Sequence, residues 1–339
     1  MNSQRWVAAS AAAAIAVTSL LSSDGSDNLE TWHELPAAKQ LALHLRAGTR
    51  LLGRGHVELG LDEWRRCISV VTQGDAEAMA TQVSCASRAL IALHNLDRNV
   101  EAQRLGEEAH RLGILMHPAQ APEHLLRGVA SAPWWTEAAC GEACRMLRAN
   151  FRPIREEVAA FMAGHEEEGL GAHGMEQERL ATAGRWSEVR LHSNGQRNAT
   201  SASRLPFIAS LVARLPGAEA MPMGSVKVSV LHPGTRIRPH FGPTNLRLRL
   251  HLGLIVAQPA LATLVVAGEA RQWREGELLA FDDSFAHEVW HNGSSPRVVL
   301  VVDVWHPSLS ERQRADGIRS APAWARDAAA AIRRGSDSL

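Results

Sequence analysis

The sequence predicts an α+β protein in which an N-terminal α-helical region precedes an antiparallel β barrel or jelly roll. In the first part of the chain, leucines and other apolar residues recur at helical spacing, with glycines between the segments. From residue 226 onward, apolar and polar residues alternate, which is the period of a strand with one buried face. Short strands separated by turn residues are typical of a barrel, whose interior can hold a ligand.

The composition is that of a globular chain. Its 339 residues are 45% hydrophobic and 21% charged, which suits roughly two domains. Lys+Arg and Asp+Glu number 36 each, so the charge balance gives no reason to expect nucleic acid as a partner. Four cysteines are too few for a disulfide framework in a chain of this length, and we predict structural thiols at Cys67, Cys85, Cys140 and Cys144.

Residues 1–30 are predicted to be a signal or anchor segment and a linker. Residues 6–21 are uncharged and rich in alanine, but they are fewer than the roughly 20 apolar residues that a membrane helix needs. The run could be a signal peptide, a membrane anchor or a soluble helix. Arg5 precedes it, which favours a type II orientation, and we expect entry into the secretory pathway at the endoplasmic reticulum. The sequons at Asn198 and Asn292 permit this location.

Residues 31–130 are predicted to form a helical domain. Two helical hairpins share a loosely similar Leu-x-x-x-x-Val-Glu turn, which resembles tetratricopeptide repeats. The offset between the hairpins exceeds the usual spacing of about 34 residues, so a plain α-helical domain is an equal alternative. In either case we expect this domain to contact partners or act as a scaffold.

Residues 131–315 are predicted to form the β domain, and residues 316–339 a C-terminal tail. The domain begins near Pro133-Trp-Trp-Thr and continues with a helical stretch over 137–162, broken at Arg152-Pro153. The predicted strands are 226–231, 246–256, 262–267, 277–281 and 298–304.

The strand 246–256 carries the most informative pattern. Leucines occupy every second position, and the other face presents a row of cationic or polar residues: Arg247, Arg249 and His251. Such a row is commonly a solvated surface. Here His240, His287 and Arg297 flank it in similar strands, so the sequence predicts a pocket that binds a metal and an anion.

The two flanking histidines suit a mononuclear non-haem iron, which two imidazoles and usually a carboxylate hold. The carboxylate of a His-x-Asp motif that starts at His240 is replaced by Gly242. A third ligand must therefore be water or come from nearby residues, of which the candidates are Asp282, Asp283 and Glu288. The two aspartates could also hold a ring nitrogen of His287, or cap a tight turn.

The remaining polar residues suit carboxylate binding. The guanidinium of Arg297 is a natural bidentate partner for a buried carboxylate. Arg249 and His251, which share one strand face, could meet a second carboxylate or the substrate, and Ser229 could add a hydroxyl.

Several motifs together resemble the aspartyl/asparaginyl β-hydroxylase family. The similarity covers about residues 132 to 310, and its motifs are Pro133-Trp-Trp-Thr, Gly184-x-Trp-Ser, His232-Pro-Gly-Thr, Pro239-His-x-Gly-Pro-Thr-Asn, Leu246-Arg-Leu-Arg-Leu-His-Leu-Gly-Leu, Trp273-x-x-Gly, Phe281-Asp-Asp-Ser-Phe-x-His-Glu-Val-Trp and Val302-Asp-Val-Trp-His-Pro.

The resemblance implies a double-stranded β-helix oxygenase that uses Fe(II), 2-oxoglutarate and O2. Members have glycine where relatives have the carboxylate ligand, so Gly242 matches the family. By the same resemblance, His240 and His287 would hold iron. The co-substrate and site positions would be Ser229 and Arg297 at the distal carboxylate, Arg249 and His251 at the metal-proximal carboxylate, and Trp186 as a site tryptophan.

The substrate that the resemblance implies is the β-carbon of Asp or Asn in EGF-like domains of proteins. Two departures from the family pattern leave the substrate open. Residues 198–207 lack the family's cysteine pair, and the substrate-contacting arginine that the resemblance places near Ala181 is missing, although Arg179 and Arg185 flank that position. One alternative is the same chemistry on another small or lipid substrate, such as an acyl chain. A second is a cupin-like binding module without turnover, against which the intact histidines argue.

Overall fold

The computed structural model describes residues 33, 35–72, 74–164, 180–218 and 221–336. These residues divide into two compact units, with the break between Glu123 and His124. The possible anchor at 6–21 lies outside the described residues. Within the described part, no helix is both long and apolar enough to span a bilayer.

The first unit is helical, as predicted. Its helices are α1 (Ala37–Gly53), α2 (Val57–Ser69), α3 (Ala76–Asn95) and α4 (Asn99–Arg111). Helices α1 and α2 approach closely at Gly48, where a Cβ would lie 2.5 Å from the indole nitrogen of Trp64. The buried faces carry leucine, alanine and cysteine at helical spacing, which is why the chain forms helices here. Its relation to tetratricopeptide repeats stays a prediction.

The prediction of structural thiols is wrong, because all four cysteines form disulfides. Cys67 of α2 and Cys85 of α3 are joined, with their Cα atoms 6.3 Å apart. Cys140 and Cys144 are joined within one helix, where Gly141 adopts a φ of 61° that interrupts the helical path. The first pairing depends on how two helices face each other, which the spacing of cysteines in a sequence does not reveal.

The second unit contains two antiparallel sheets, which confirms the predicted jelly roll. The larger sheet has the strand order β1-β10-β7-β12-β5-β3-β4, and the smaller one has the order β2-β6-β11-β8-β9. The strands are β1 (Trp134–Trp135), β2 (Ala181–Ala183), β3 (Trp186–Ser193), β4 (Gln196–Arg197), β5 (Ser225–Leu231), β6 (Arg236–His240), β7 (Arg247–Val256), β8 (Ala262–Val266), β9 (Glu269–Gln272), β10 (Leu278–Phe281), β11 (His287–His291) and β12 (Arg297–Trp305).

Helices cover the apolar face of the larger sheet. They are α5 (Glu137–Ala149), α6 (Phe151–Ala163), α7 (Ala199–Arg204) and α8 (Pro206–Val212). The alternate leucines of β7, from Leu248 to Leu254, are buried in one core with residues of these helices. The helix break falls at Asn150, and Pro153 lies in the first turn of α6, where a missing N–H leaves no hydrogen bond unmade.

Two further helices follow β12 in the segment predicted as a tail. Helix α9 spans Glu311–Ser320 and α10 spans Ala323–Ser336. Ser310 starts α9 with a reciprocal capping box to Gln313. Leu309 and Ala325 join a small buried cluster with Leu246, so this part of the chain packs against the β domain.

The disulfide of the helical unit yields a stability prediction. The bond closes a sequence separation of 18 residues, whereas Cys140–Cys144 closes only 4. Because a cross-link restricts the unfolded chain more when its loop is longer, Cys67→Ser/Cys85→Ser should lower the free energy of unfolding by about 3 kcal/mol, and Cys140→Ser/Cys144→Ser by less. Urea unfolding followed by helical circular dichroism, without reductant, measures both.

The matched control is alkylation of the denatured, unreduced wild-type protein, which should modify none of the four cysteines. Equal losses in the two double variants, or four reactive thiols in the wild type, would contradict the prediction.

Candidate active site

Two histidines meet where β6 pairs with β11. His240 is the last residue of β6, His287 is the first of β11, and the antiparallel register places them directly opposite each other. Their ring centroids are 4.0 Å apart. The sheet therefore brings together two imidazoles that are far apart in sequence, as predicted.

The backbone fixes the tautomer of both rings. Nδ1 of His240 lies 2.9 Å from the carbonyl oxygen of Arg238, and Nδ1 of His287 lies 2.9 Å from that of Phe285. A carbonyl oxygen only accepts, so each Nδ1 carries the proton and each neutral ring has its lone pair on Nε2. Burial, and then the neighbouring His240, hold the pKa of His287 well below its usual range. Both rings are therefore suited to bind a metal through Nε2.

The described residues provide no third protein ligand beside this pair, since they contain no cluster of three or more His, Cys, Asp or Glu that could hold a metal. A Cβ on Gly242 would overlap the carboxylate of Asp283, and the Gly242 amide donates to the Asp283 carbonyl at 2.5 Å. Glu288 accepts from the indole of Trp290 at 3.1 Å. Asp282 accepts from the amide and hydroxyl of Ser284, which favours the turn-capping alternative for this aspartate.

Asp283 belongs to a buried cluster of four charges, which we call the ionic cluster: Arg247, Arg249, Asp283 and Asp303. Arg247 binds Asp283 through Nε at 3.1 Å and Nη2 at 2.5 Å. Arg249 binds Asp303 through Nε at 2.8 Å and Nη2 at 2.9 Å, and its Nη1 lies 3.1 Å from Asp283. Burial alone would raise the pKa of Asp283, but Arg247 and Arg249 hold it below its ordinary value.

Arg297, the first residue of β12, is a buried cation of a different kind. It is 3% exposed, and its Nε and Nη1 have no hydrogen-bond partner within the described residues. Its guanidinium carbon lies 4.5 Å from the ring centroid of Trp273. Burial lowers the pKa of Arg297 to about 9, which keeps the side chain charged at neutral pH. A buried, charged guanidinium with unsatisfied donors is suited to bind an anion.

Neighbouring strands supply the polar wall beside Arg297. The indole of Trp186 on β3 donates to the hydroxyl of Ser229 on β5 at 3.0 Å. Lys227, two residues before Ser229, binds the buried carboxylate of Glu188 at 2.7 Å and lies 4.9 Å from the Trp186 centroid. The hydroxyl of Ser229 can still donate its own hydrogen to a bound anion.

His251 is held as a neutral hydrogen-bond donor. The indole of Trp273 donates to Nδ1 of His251 at 3.2 Å, so the imidazole proton resides on Nε2. Burial, followed by Arg249 and Arg297, holds the pKa of His251 well below its usual range. The ring therefore contributes an N–H group without a charge.

One cavity between the two sheets contains all seven predicted site residues: Trp186, Ser229, His240, Arg249, His251, His287 and Arg297. Its other walls come from residues that the sequence did not single out as site residues, namely Lys227, Ile237, Leu264, Trp273, Phe281, Val289 and Val301. The sequence contained a signal for Lys227 as a cavity residue, because the period of two places it on the same face of β5 as Ser229. Of the arginines near Ala181, Arg185 lies 3.0 Å from His232, and Arg179 is outside the described residues.

The β domain is similar in sequence to known proteins. Residues 148–307 match the family model described as Aspartyl/Asparaginyl beta-hydroxylase. The chain is 38% identical to the human protein named aspartyl/asparaginyl beta-hydroxylase over 227 residues, which are 66% of this chain and 29% of that protein. It is 52% identical over 100 residues to human aspartate beta-hydroxylase domain-containing protein 2, covering 28% of this chain and 27% of the relative.

The chain thus spans less than a third of the length of the curated relatives it matches. The family match contains all seven predicted site residues that line the cavity. Residues 148–307 are therefore similar in sequence to the aspartyl/asparaginyl β-hydroxylase family.

Proposed function

We propose that this chain is an Fe(II)- and 2-oxoglutarate-dependent dioxygenase that hydroxylates the β-carbon of Asp or Asn residues in target proteins. The observation that carries the proposal is the cavity shared by two facing histidines and the unsatisfied guanidinium of Arg297. A metal at the histidines and an anion at the arginine are the two ligands that such a cavity can take. The family match supports the hydroxylase activity.

The histidine pair fits a divalent metal. His240 and His287 present Nε2 lone pairs on rings whose Nδ1 atoms are anchored to backbone carbonyls. Because Gly242 adds no carboxylate and Asp283 is engaged by arginines, His240 and His287 would be the protein ligands that hold the metal. When bound, iron would supply the activation of oxygen that hydroxylation of an unactivated carbon requires.

The anionic co-substrate would extend from the metal toward Arg297. Arg297 would bind the distal carboxylate of 2-oxoglutarate, with Ser229 as a second donor. His251 would donate from Nε2 near the metal-proximal carboxylate. Arg249 also faces the cavity, but the ionic cluster already engages its guanidinium, so we propose that it acts there mainly through its charge.

Apolar residues would keep the reacting carbon away from water. Ile237, Leu264, Val289 and Phe281 line the cavity with hydrocarbon and ring atoms. The ring centroid of Phe281 lies 5.5 Å from that of His287 and 5.0 Å from that of His251, and both pairs are T-shaped. Such a lining strengthens electrostatic binding inside the cavity and excludes competing reactions with solvent.

We propose an EGF-like domain of a protein as the substrate. The relatives' names support Asp or Asn as the target residue, and the EGF-like domain is what the family resemblance of the sequence implies. Purified protein with Fe(II) and 2-oxoglutarate should release succinate faster when an EGF-like peptide is added, and the peptide should gain the mass of one oxygen. Succinate release without peptide hydroxylation would instead support another substrate, such as a lipid acyl chain. No succinate release under any condition would support the binding module without turnover.

We also propose a location in the secretory pathway, with residues 6–21 as a possible anchor. The two disulfides support it, because disulfides persist in oxidising compartments. Asn198 of the first sequon is exposed at the start of α7, where its side-chain oxygen caps the Ser201 amide. Loss of a glycan from an Asn198→Gln variant expressed in secretory cells would test the location.

The histidine pair yields a metal-binding prediction. His240→Ala and His287→Ala should each abolish stoichiometric Fe(II) binding, because one imidazole without a carboxylate is a weak site. The matched control is His117→Gln, which replaces an exposed histidine of the helical unit and should bind iron like the wild type. Anaerobic titration calorimetry gives the stoichiometry, and unchanged binding in either alanine variant would rule out this metal site.

The guanidinium of Arg297 yields a co-substrate prediction. Arg297→Met should weaken 2-oxoglutarate binding by about 2 kcal/mol, because it removes a charge-assisted hydrogen-bond donor pair. The affinity of Arg297→Lys for 2-oxoglutarate should lie between those of the wild type and Arg297→Met, since an ammonium keeps the charge but not the fork geometry. Arg319→Met, at an exposed arginine of α9, is the control. The prediction fails if the Met variant binds Fe(II) and 2-oxoglutarate as tightly as the wild type.

A further inference from the structure

Three cations line the cavity, and two of them have carboxylate partners. Arg249 pairs with Asp283 and Asp303. Lys227 pairs with Glu188 at 2.7 Å. For Arg297, the Nε and Nη1 atoms have no partner in the part of the chain that the structure describes. Among the described cavity residues, the charge left for a ligand is therefore that of one guanidinium.

Glu188 does not line the cavity, but it is paired with Lys227, which does. It is 2% exposed on β3, directly opposite Ser229 of β5, while Arg190 is opposite Lys227. Its Oε2 accepts from Lys227, and its Oε1 accepts from Arg190. A carboxylate buried to this extent requires cationic partners, and Lys227 on the adjacent strand and Arg190 on the same strand supply two.

Lys227 is placed at the same end of the cavity as Arg297. Its ammonium lies over Trp186, whose indole donates to Ser229. Trp186 and Arg297 pair with the same residue, Leu231 of β5, from the two neighbouring strands. The Lys227 ammonium over Trp186 therefore lies at the level of Arg297. Without a carboxylate partner, Lys227 would present a second positive charge to a ligand there.

We propose that Glu188 restricts this end of the cavity to a ligand with one distal carboxylate, because its ion pair with Lys227 leaves Arg297 as the single uncompensated cation among the described cavity residues. Glu188 is a positioning residue that acts through Lys227. The inference rests on the proposed function, in which 2-oxoglutarate brings one carboxylate to Arg297. It excludes tricarboxylates, whose additional charge would meet no uncompensated cation.

Glutarate and 3-carboxyglutarate are matched probes, because they share one five-carbon chain and differ by one central carboxylate. Their binding to the metal-free, full-length protein is measured by titration calorimetry. Wild type should prefer glutarate. In Glu188→Gln, which keeps the shape of the side chain and removes its charge, the ratio of 3-carboxyglutarate to glutarate affinity should rise about tenfold, as expected for one added interaction with an uncompensated cation.

Two further variants show whether Lys227 carries the effect. Lys227→Met should weaken binding of both probes, because it leaves the negative charge of Glu188 near the ligand. Lys227→Met/Glu188→Gln should return the affinity ratio to within about twofold of the wild type, as charge balance is restored. An elevated ratio in the double variant, or an unchanged ratio in Glu188→Gln, would overturn the proposal. If Glu188→Gln does not fold, the double variant and Lys227→Met still test the proposal, because a rise in affinity for 3-carboxyglutarate in either variant contradicts it.

Failure of the proposed function has a different signature. In that case Arg297→Met would bind glutarate as tightly as the wild type does, and likewise 2-oxoglutarate, whether residue 188 is Glu or Gln. If Arg297→Met weakens binding of glutarate and 2-oxoglutarate while Glu188→Gln leaves the ratio of 3-carboxyglutarate to glutarate affinity unchanged, the anion site stands and the role of Glu188 does not.

Discussion

The ionic cluster of Arg247, Arg249, Asp283 and Asp303 is the interaction on which the site depends. It joins neighbouring strands β7 and β12 to the loop that leads into His287, and Asp303 also accepts from the amide and hydroxyl of Ser225 at the start of β5. Both aspartates are fully buried. Removing one partner from a buried ion pair typically destabilises a protein by about 3–5 kcal/mol, because the other charge is left without compensation. The cluster therefore holds the loop before β11, and with it one of the two histidines.

The cavity separates charges that maintain the fold from a charge that is left for a ligand. On one face of β7, Arg247 is bound within the ionic cluster, Arg249 belongs to both cluster and cavity, and His251 is neutral. Arg297 differs from them because burial is the cause of its lowered pKa and no carboxylate of the described residues offsets it. An unsatisfied buried cation is costly, and stacking on Trp273 offsets only part of that cost. An anionic ligand would supply the missing partner, which is the physical reason to assign the carboxylate end of the co-substrate to Arg297.

Periodicity and spacing predicted the barrel, the strand β7 and six of the seven residues that share the cavity, because side chains on one face of a strand repeat at every second position. Trp186 was expected only from the family resemblance. The same rules did not predict β3. Trp186, Glu188 and Arg190 share one face of β3 and break the apolar alternation, and the burial of Glu188 depends on its ion pairs with Lys227 of the adjacent strand and with Arg190. Partnerships of this kind join residues far apart in sequence: Arg249 and Asp303 are 54 positions apart. The two disulfides were missed for a related reason, since helix packing and a break at Gly141 decide which thiols meet.

Gly242 shows how the metal site and the ionic cluster constrain each other. The family resemblance implies no carboxylate at this position, and the structure gives its absence a local cause. Any side chain at 242 would occupy the space of the Asp283 carboxylate, and the Gly242 amide already donates to the Asp283 carbonyl at 2.5 Å. A residue with a Cβ would have to displace Asp283 and so weaken its pairs with Arg247 and Arg249. Position 242 is thus closed to a metal-binding carboxylate by the packing of the ion pairs, which leaves His240 and His287 as the protein ligands of the proposed metal.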